Sequence, residues 1–255
     1  MNRFFLATDC INAGEVRFPE DISHQIAQVL RLKSADEIIV LDNSGFEYRV
    51  VLAQVSSHIV TGKITAKQPS PAEPVWRVSM YLALTQREKF EGMLQKCTEA
   101  GAAAFVPVIS NRCLVQSEKE VSSKLERWNR IICEAAEQSG RGLLPTLSQA
   151  MKFADALENA SQQPLVLFLW EKEKDLGLRQ VLSSYLRRQQ SPTAAGSDRK
   201  VAIFIGPEGG FTDQEAQLAR RAGAIPVTLG KRILRMETAA LVAAALTLYE
   251  FGEME

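Results

Sequence analysis

Two stretches near the end of the chain carry the residues best suited to chemistry. Gly206-Pro207-Glu208-Gly209-Gly210-Phe211 follows the apolar run Val201-Ala202-Ile203-Phe204-Ile205 and precedes a helical pattern that starts near Glu215. The expected order is strand, glycine turn, helix. Thr212 with Glu215 three residues on forms a capping box that fixes the helix start. Glycines at a strand end let backbone approach a ligand, because no Cβ intervenes. The second stretch, Leu229-Gly230-Lys231-Arg232-Ile233-Leu234-Arg235-Met236-Glu237-Thr238-Ala239, follows the short apolar run Pro226 to Leu229 and also opens a helix. Lys231, Arg232 and Arg235 crowd a helix N-terminus that already carries partial positive charge, an arrangement suited to an anionic partner. Taken singly, each stretch has a plainer explanation: a tight structural turn for the first, a solvated surface loop for the second. A third group, Glu134, Gln138 and Arg141, falls at i, i+4 and i+7 on one helix face. It could read a base edge, orient another side chain, or be a solvated face.

Several classes of chemistry drop out. Gly206-x-x-Gly209-Gly210 is neither a Gly-x-Gly-x-x-Gly dinucleotide fingerprint nor a Walker A loop, and no Gly-x-Ser-x-Gly elbow occurs. Cys10, Cys97, Cys113 and Cys133 are scattered, and His24 and His58 are the only histidines, so no metal is expected and the cysteines read as free thiols. No segment nears the roughly 18 apolar residues of a membrane span. The apolar run at the N-terminus is too short for a signal peptide, so no membrane partner and a cytoplasmic placement are expected. The 30 basic and 30 acidic residues balance, so charge alone neither predicts nor excludes a nucleic-acid partner.

The elements that must position these residues follow from pattern. With 255 residues, 46% hydrophobic, the chain can build one large domain or two smaller ones. Strands are expected at 3–6, 37–42, 47–52 and 59–66, with a hairpin turn at Asn43-Ser44-Gly45 and one helix over 23–32 capped by Ser23, burying Ile26, Val29 and Leu30. Many short strands in so few residues suggest a small β-barrel over 1–70. Gln68 to Pro74 holds three prolines and reads as a linker. Beyond it, over 75–255, strands at 78–84, 105–109, 164–170, 201–205 and 226–229 alternate with helices at 88–100, 119–138, 176–188 and 238–251, with a loose polar stretch at 189–198. That alternation predicts an α/β domain with a largely parallel sheet covered on both faces. Two loops at neighbouring strand ends would make a ligand crevice. The last helix is apolar all round, which predicts burial in a large core or, preferentially, in a homodimer interface.

Together these stretches resemble the RsmE family, bacterial SPOUT methyltransferases that methylate N3 of a uridine in small-subunit (16S) ribosomal RNA. The likeness extends to Gln95-Lys96-Cys97-Thr98-Glu99-Ala100-Gly101, Leu125-Glu126-Arg127-Trp128, Arg3-Phe4-Phe5 and His24 with Leu30-Arg31, and so spans nearly the whole chain. The resemblance implies S-adenosylmethionine as methyl donor, an N-terminal PUA-like barrel that helps hold RNA, a deep trefoil knot around the cofactor, and a homodimer. A knot could not be reached from physical rules, since chains almost never knot. Two further readings stay open: a SPOUT methyltransferase acting on transfer RNA, and an inactive RNA-binding ribosome-assembly factor.

Roles carry over by position. The resemblance implies cofactor contacts from Gly206, Pro207, Glu208, Gly209, Leu229, Gly230, Ile233, Leu234, Arg235, Thr238 and Ala239, with Leu84 and Leu169 lining the pocket. Arg235 is expected to stabilise charge developing on the base, and Glu237 to act as general base or cofactor partner. RNA contacts are expected from Arg3, His24, Arg31, Lys96, Arg112, Gln138 and Arg141. The chain departs from the family at Thr85-Gln86-Arg87-Glu88-Lys89, where a glycine-bearing turn is usual. That departure is expected to bear on RNA and to leave the cofactor loops untouched.

Overall fold

The computed structural model describes residues 1–113, 121–189 and 199–255. Within them the chain forms two compact units, Met1–Glu73 with Ala136–Leu144, and Pro74–Ala135 with Pro145–Glu255.

The first unit is a curled sheet. Its strands are β1 (Arg3–Phe5), β2 (Ile11–Asn12), β3 (Glu15–Arg17), β4 (Glu37–Leu41), β5 (Phe46–Val55) and β6 (Val60–Pro69). They pair in the order β1-β4-β5-β6-β3-β2, with only β1–β4 parallel. The β4–β5 hairpin turns where expected, with Asn43 and Gly45 at φ of 62° and 84°, a conformation both residues tolerate. Register shifts in the β5–β6 pairing sharpen the curl. The concave face buries Phe4, Val16, Phe18, Ile38, Val40, Val50, Leu52 and Val60 as one cluster.

The helix of this unit differs from expectation. It begins earlier, as α1 (Glu20–His24), and widens into a π turn over Gln25–Val29. The wider turn breaks the 3.6-residue period: Ile26 is fully buried, Val29 is 67% exposed, and Leu30 is only partly covered. Ser23 does not cap the helix. It is buried inside it, donating to Phe18 O at 3.3 Å and accepting from Val60 N at 3.1 Å. The expected linker also begins late, because Gln68 and Pro69 still pair with Glu47 and Phe46. Pro69 is the final residue of β6, a position where its missing N–H does little harm.

Ala136–Leu144 is tied into this unit by specific bonds. Phe5 N donates to Glu137 Oε1 at 2.9 Å, and Leu144 N donates to Asn43 Oδ1 at 2.7 Å. The Glu73 carboxylate receives Arg141 Nη2 at 3.0 Å, Gly142 N at 2.8 Å and Leu143 N at 2.9 Å. A Cβ on Gly142 would stand 2.3 Å from Ser70 Cβ, so only glycine fits.

The second unit is a parallel sheet between two helical layers. Its strands are β7 (Arg77–Ala83), β8 (Ala104–Ile109), β9 (Thr146–Leu147), β10 (Met151–Lys152), β11 (Leu165–Leu169), β12 (Lys200–Ile205) and β13 (Ile225–Val227). They run β10-β8-β7-β12-β11-β13, with β9 beside β8. The helices are α2 (Arg87–Glu99), α3 (Leu125–Ser139, whose residues from Ala136 on belong to the first unit), α4 (Phe153–Ala160), α5 (Leu178–Gln189), α6 (Asp213–Arg221) and α7 (Met236–Glu250). Side chains alternate across β12: Val201, Ile203 and Ile205 join the core with α2, α5 and α7, while Ala202 and Phe204 join α4 and α6. Gly101 ends the α2 region at φ 106°, as a C′ glycine should. The expected helix start at Lys119 and residues 190–198 of the expected loose stretch lie outside the described residues. Gln189 itself closes α5.

The last helix begins at Met236, two residues before expectation. Within this chain it is not buried on all sides. Met236, Ala240, Ala243, Ala244 and Leu248 are buried, whereas Leu246 and Tyr249 are 46% and 59% exposed.

Candidate functional site

Four loops leave the same ends of four adjacent parallel strands. Leu84 follows β7, Gly206 follows β12, Leu169 ends β11, and Leu229 follows β13, in the sheet order β7-β12-β11-β13. Such carboxyl ends are where open α/β sheets bind ligands. β12 is also where the chain order is broken, since it lies between β7 and β11.

The loop after β12 is a tight turn closed by Gly210 N donating to Pro207 O at 2.8 Å. Its glycines are there for closeness. A Cβ on Gly206 would sit 3.0 Å from the buried Phe211 ring, and Gly210 has φ 66° with a Glu171 carboxylate oxygen 2.5 Å from where a Cβ would be. The capping box then starts α6 as the sequence predicts. Thr212 Oγ1 accepts from Glu215 N at 3.2 Å, and Glu215 Oε2 accepts from Thr212 N at 2.8 Å. The buried Glu215 carboxylate also receives Asn111 N at 2.9 Å, which ties the loop after β8 to this turn.

The loop after β13 is shaped by Thr228, whose hydroxyl accepts from Gly230 N at 3.2 Å and donates to Gly230 O at 3.1 Å. Gly230 has φ 105° with nothing within 4 Å of a Cβ, so the glycine answers a backbone need and leaves open space. Lys231, Arg232 and Arg235 are exposed and make no ion pair among the described residues. Ile233 is 92% exposed, an unusual placement for an isoleucine. Arg235 is the N-cap residue of α7, and Glu237 lies in its first turn. Glu237 Oε2 is buried without a hydrogen-bond partner among the described residues. Carboxylate oxygens are seldom left that way, so the site lacks a donor.

Thr85 and Lys89 overturn one expectation. They bear directly on the glycine loop: buried Thr85 Oγ1 donates to Glu208 Oε1, and Lys89 Nζ donates to the same oxygen at 3.0 Å. Burial alone would push the Glu208 carboxyl up, but the bonds from Thr85 and Lys89 outweigh it and hold the carboxyl below its ordinary value. Sequence reading singled out this turn for RNA and not for the glycine loop. The complementarity of a threonine and a lysine with Glu208 was visible, but not that chain positions 123 and 119 apart would meet.

The other singled-out residues divide by environment. In the first unit His24, Arg31 and Gln138 are exposed. Arg3 donates to Glu47 at 2.8 Å with its side chain 14% exposed, and Arg141 is 4% exposed on Glu73, so both guanidinium groups are engaged inside the unit. Arg141 does not share a helix face with Glu134 and Gln138, because α3 stops at Ser139 and Gly140 turns the chain at φ 81°. In the second unit Lys96 and Arg112 are exposed, and Arg112 Nη1 donates to Gly209 O at 2.6 Å. The four cysteines are free, and burial pushes the Cys97 thiol up to about 12. Among the described residues no group of three or more His, Cys, Asp or Glu side chains could hold a metal, and no helix is long and apolar enough to cross a membrane.

Comparison with known proteins agrees with this geometry. Residues 71–248 match the RNA methyltransferase domain model, and residues 18–65 match the RNA methyltransferase PUA domain. The ribosomal RNA small subunit methyltransferase E of Synechocystis sp. is 36% identical over 243 residues, 95% of this chain and 76% of that protein. The protein of the same name from Bacillus subtilis is 32% identical, covering 89% and 87%. The crystal structure of a ribosomal RNA small subunit methyltransferase E from Neisseria gonorrhoeae bound to S-adenosyl methionine superposes with a TM-score of 0.81 at 29% identity, over 98% of this chain and 97% of that one. A PUA sheet, a parallel α/β domain and a family match over most of the chain lead to one conclusion: the chain belongs to the RNA methyltransferase family that includes the ribosomal RNA small subunit methyltransferase E proteins.

Proposed function

We propose that this protein transfers a methyl group from S-adenosylmethionine to N3 of a uridine in small-subunit (16S) ribosomal RNA. The observation that carries the reading is the loop after β13. It combines exposed Lys231, Arg232 and Arg235, which make no ion pair among the described residues, with a buried Glu237 oxygen that finds no donor among them, beside a glycine turn at the neighbouring strand ends. The donor set suits this cofactor. A carboxylate without a partner among the described residues fits an ammonium group, and we assign the adenosine to backbone at Gly206, Gly209, Leu229, Gly230, Ile233 and Leu234, with open space at Gly230. Pro207, Glu208, Thr238 and Ala239 complete the set, with Leu84 and Leu169 as apolar walls. Bound there, S-adenosylmethionine supplies an electrophilic methyl on a sulfonium.

The protein's own part is positioning and charge. Uridine N3 must lose its proton, and negative charge then spreads to the ring carbonyls. Arg235, exposed at the head of α7, stabilises that charge. Glu237 accepts either the N3 proton or a hydrogen bond from the cofactor's amine. The target base must leave any stack to be reached. His24, Arg31, Lys96, Arg112 and Gln138 contact RNA directly. Within the first unit Arg3 and Arg141 support RNA contact from the inside, through their ion pairs with Glu47 and Glu73. Residues 1–70, joined by 136–144, form the PUA-like barrel module, and the rest of 75–255 the catalytic domain.

Two features support a trefoil knot in that domain. β12 lies between β7 and β11, and α7, which follows edge strand β13, packs back against β7, β12 and α2. The exposed Leu246 and Tyr249 of α7 support a homodimer, which would cover them. The proposal places the protein in the cytoplasm, with its RNA. Calorimetry with S-adenosylmethionine, followed by transfer of labelled methyl to small ribosomal subunits and to transfer RNA in parallel, tests the reading. Binding with label in the subunits supports it. Label in transfer RNA alone refutes the substrate, and absence of binding refutes the enzyme.

A further inference from the structure

The turn between β7 and α2 grips the glycine loop through one carboxylate. Glu208 occupies the corner of the Pro207–Gly210 turn, and its side chain is held from outside the loop. Thr85 is 4% exposed, so its hydroxyl has Glu208 in place of water. Lys89 stands on the first turn of α2 and reaches the same Oε1 at 3.0 Å, with both side chains about one-third exposed. Thr85 comes from the end of one central strand and Glu208 from the end of its neighbour, so the clamp spans the β7–β12 junction. On the other flank Arg112 fixes the carbonyl of Gly209. A short loop of glycines has many accessible backbone states and few contacts of its own. External bonds on two successive residues remove most of them.

We infer that Thr85 and Lys89 are positioning residues that hold the Gly206–Gly210 loop in its cofactor-binding shape through Glu208. The inference rests on the cofactor site proposed above. It makes the Thr85–Lys89 turn a determinant of cofactor affinity. Neither residue needs to touch the cofactor or the base. A ligand that binds only one shape of a loop loses affinity in proportion to the population of that shape. If losing the clamp leaves about one-tenth of molecules competent, apparent affinity falls about tenfold.

The test is the paired variant Thr85→Val with Lys89→Met, which keeps volume and removes both donors. The expected result is a rise of about tenfold in both the dissociation constant and the KM for S-adenosylmethionine, with kcat at saturating cofactor unchanged. Thr85→Val with Lys89→Arg restores the ion pair and is expected to recover most of the affinity. Amide exchange at Gly209 and Gly210, measured without cofactor, is expected to quicken in the Val/Met variant. Unchanged affinity, or a fall in kcat with KM unmoved, overturns the inference. If the unaltered protein takes up no S-adenosylmethionine, the methyltransferase reading fails and the exchange measurement alone decides the clamp: faster exchange supports it and unchanged exchange overturns it.

Discussion

Replacing Glu73 with alanine should unfold the first unit well before the second. Glu73 accepts from Arg141 Nε at 3.2 Å, Arg141 Nη2 at 3.0 Å, Gly142 N at 2.8 Å and Leu143 N at 2.9 Å. Arg141 is only 4% exposed. Removing one partner of a buried pair costs about 3–5 kcal/mol, because the other charge is left without its counter-charge. Two considerations put the value at the low end. The Glu73 side chain is 15% exposed, so water can reach the gap, and Arg141 keeps further contacts. The expected loss is about 3 kcal/mol, a large share of the stability of a small domain. Arg141→Ala should cost less, about 2 kcal/mol, because the Glu73 carboxylate keeps its two backbone donors. The assay uses a feature of the sequence: Trp76, Trp128 and Trp170 all belong to the second unit. Urea unfolding followed by tryptophan fluorescence should be unchanged in Glu73→Ala, while far-ultraviolet circular dichroism should show an added early transition. Coincident transitions at the original midpoint, or a larger loss for Arg141→Ala than for Glu73→Ala, would refute the reasoning.

Three other outcomes are expected. Arg235→Ala should bind S-adenosylmethionine normally and lose on the order of 10²–10³ in turnover, the scale of one electrostatic stabiliser; unchanged turnover in a single-turnover assay removes Arg235 from the mechanism. Gly206→Ala should overpack Phe211, whose ring lies 3.0 Å from the new Cβ, costing about 1–3 kcal/mol in a thermal melt and weakening cofactor binding in calorimetry. Glu47 ties stability to pH: burial would raise its carboxyl, but hydrogen bonds from Arg3 and Gln68 outweigh this and hold it below its ordinary 4.5. Its contribution is therefore complete above 4.5 and lost as pH falls through the lowered value, so urea midpoints measured down to roughly pH 3 should fall less steeply in Glu47→Gln.

Local physics made much of this molecule readable. The capping box at Thr212 and Glu215, the hairpin at Asn43 to Gly45 and the stop at Gly101 depend on neighbours a few residues apart, and all stand where the sequence puts them. The helix α4 was readable but unread: Phe153, Ala156, Leu157 and Ala160 are its buried residues at helical spacing. The flanking two-residue strands β9 and β10 gave no periodic signal to frame it. The π turn after α1 was not readable, since a residue period of 3.6 cannot announce its own interruption. Long-range pairing hid the rest. Arg141 reads as an exposed cation until Glu73, 68 positions away, is known to hold it. Glu208 reads as part of a glycine loop until Thr85 and Lys89 are seen on it.

The central claim is tested most directly on small ribosomal subunits from cells that lack this protein. The subunits are incubated with the protein and S-adenosylmethionine labelled in its methyl group, and the RNA is then digested and the label mapped. The account predicts label on one uridine of the small-subunit RNA, blocked at N3. Label at a ring carbon, on the ribose or on a different base would contradict it.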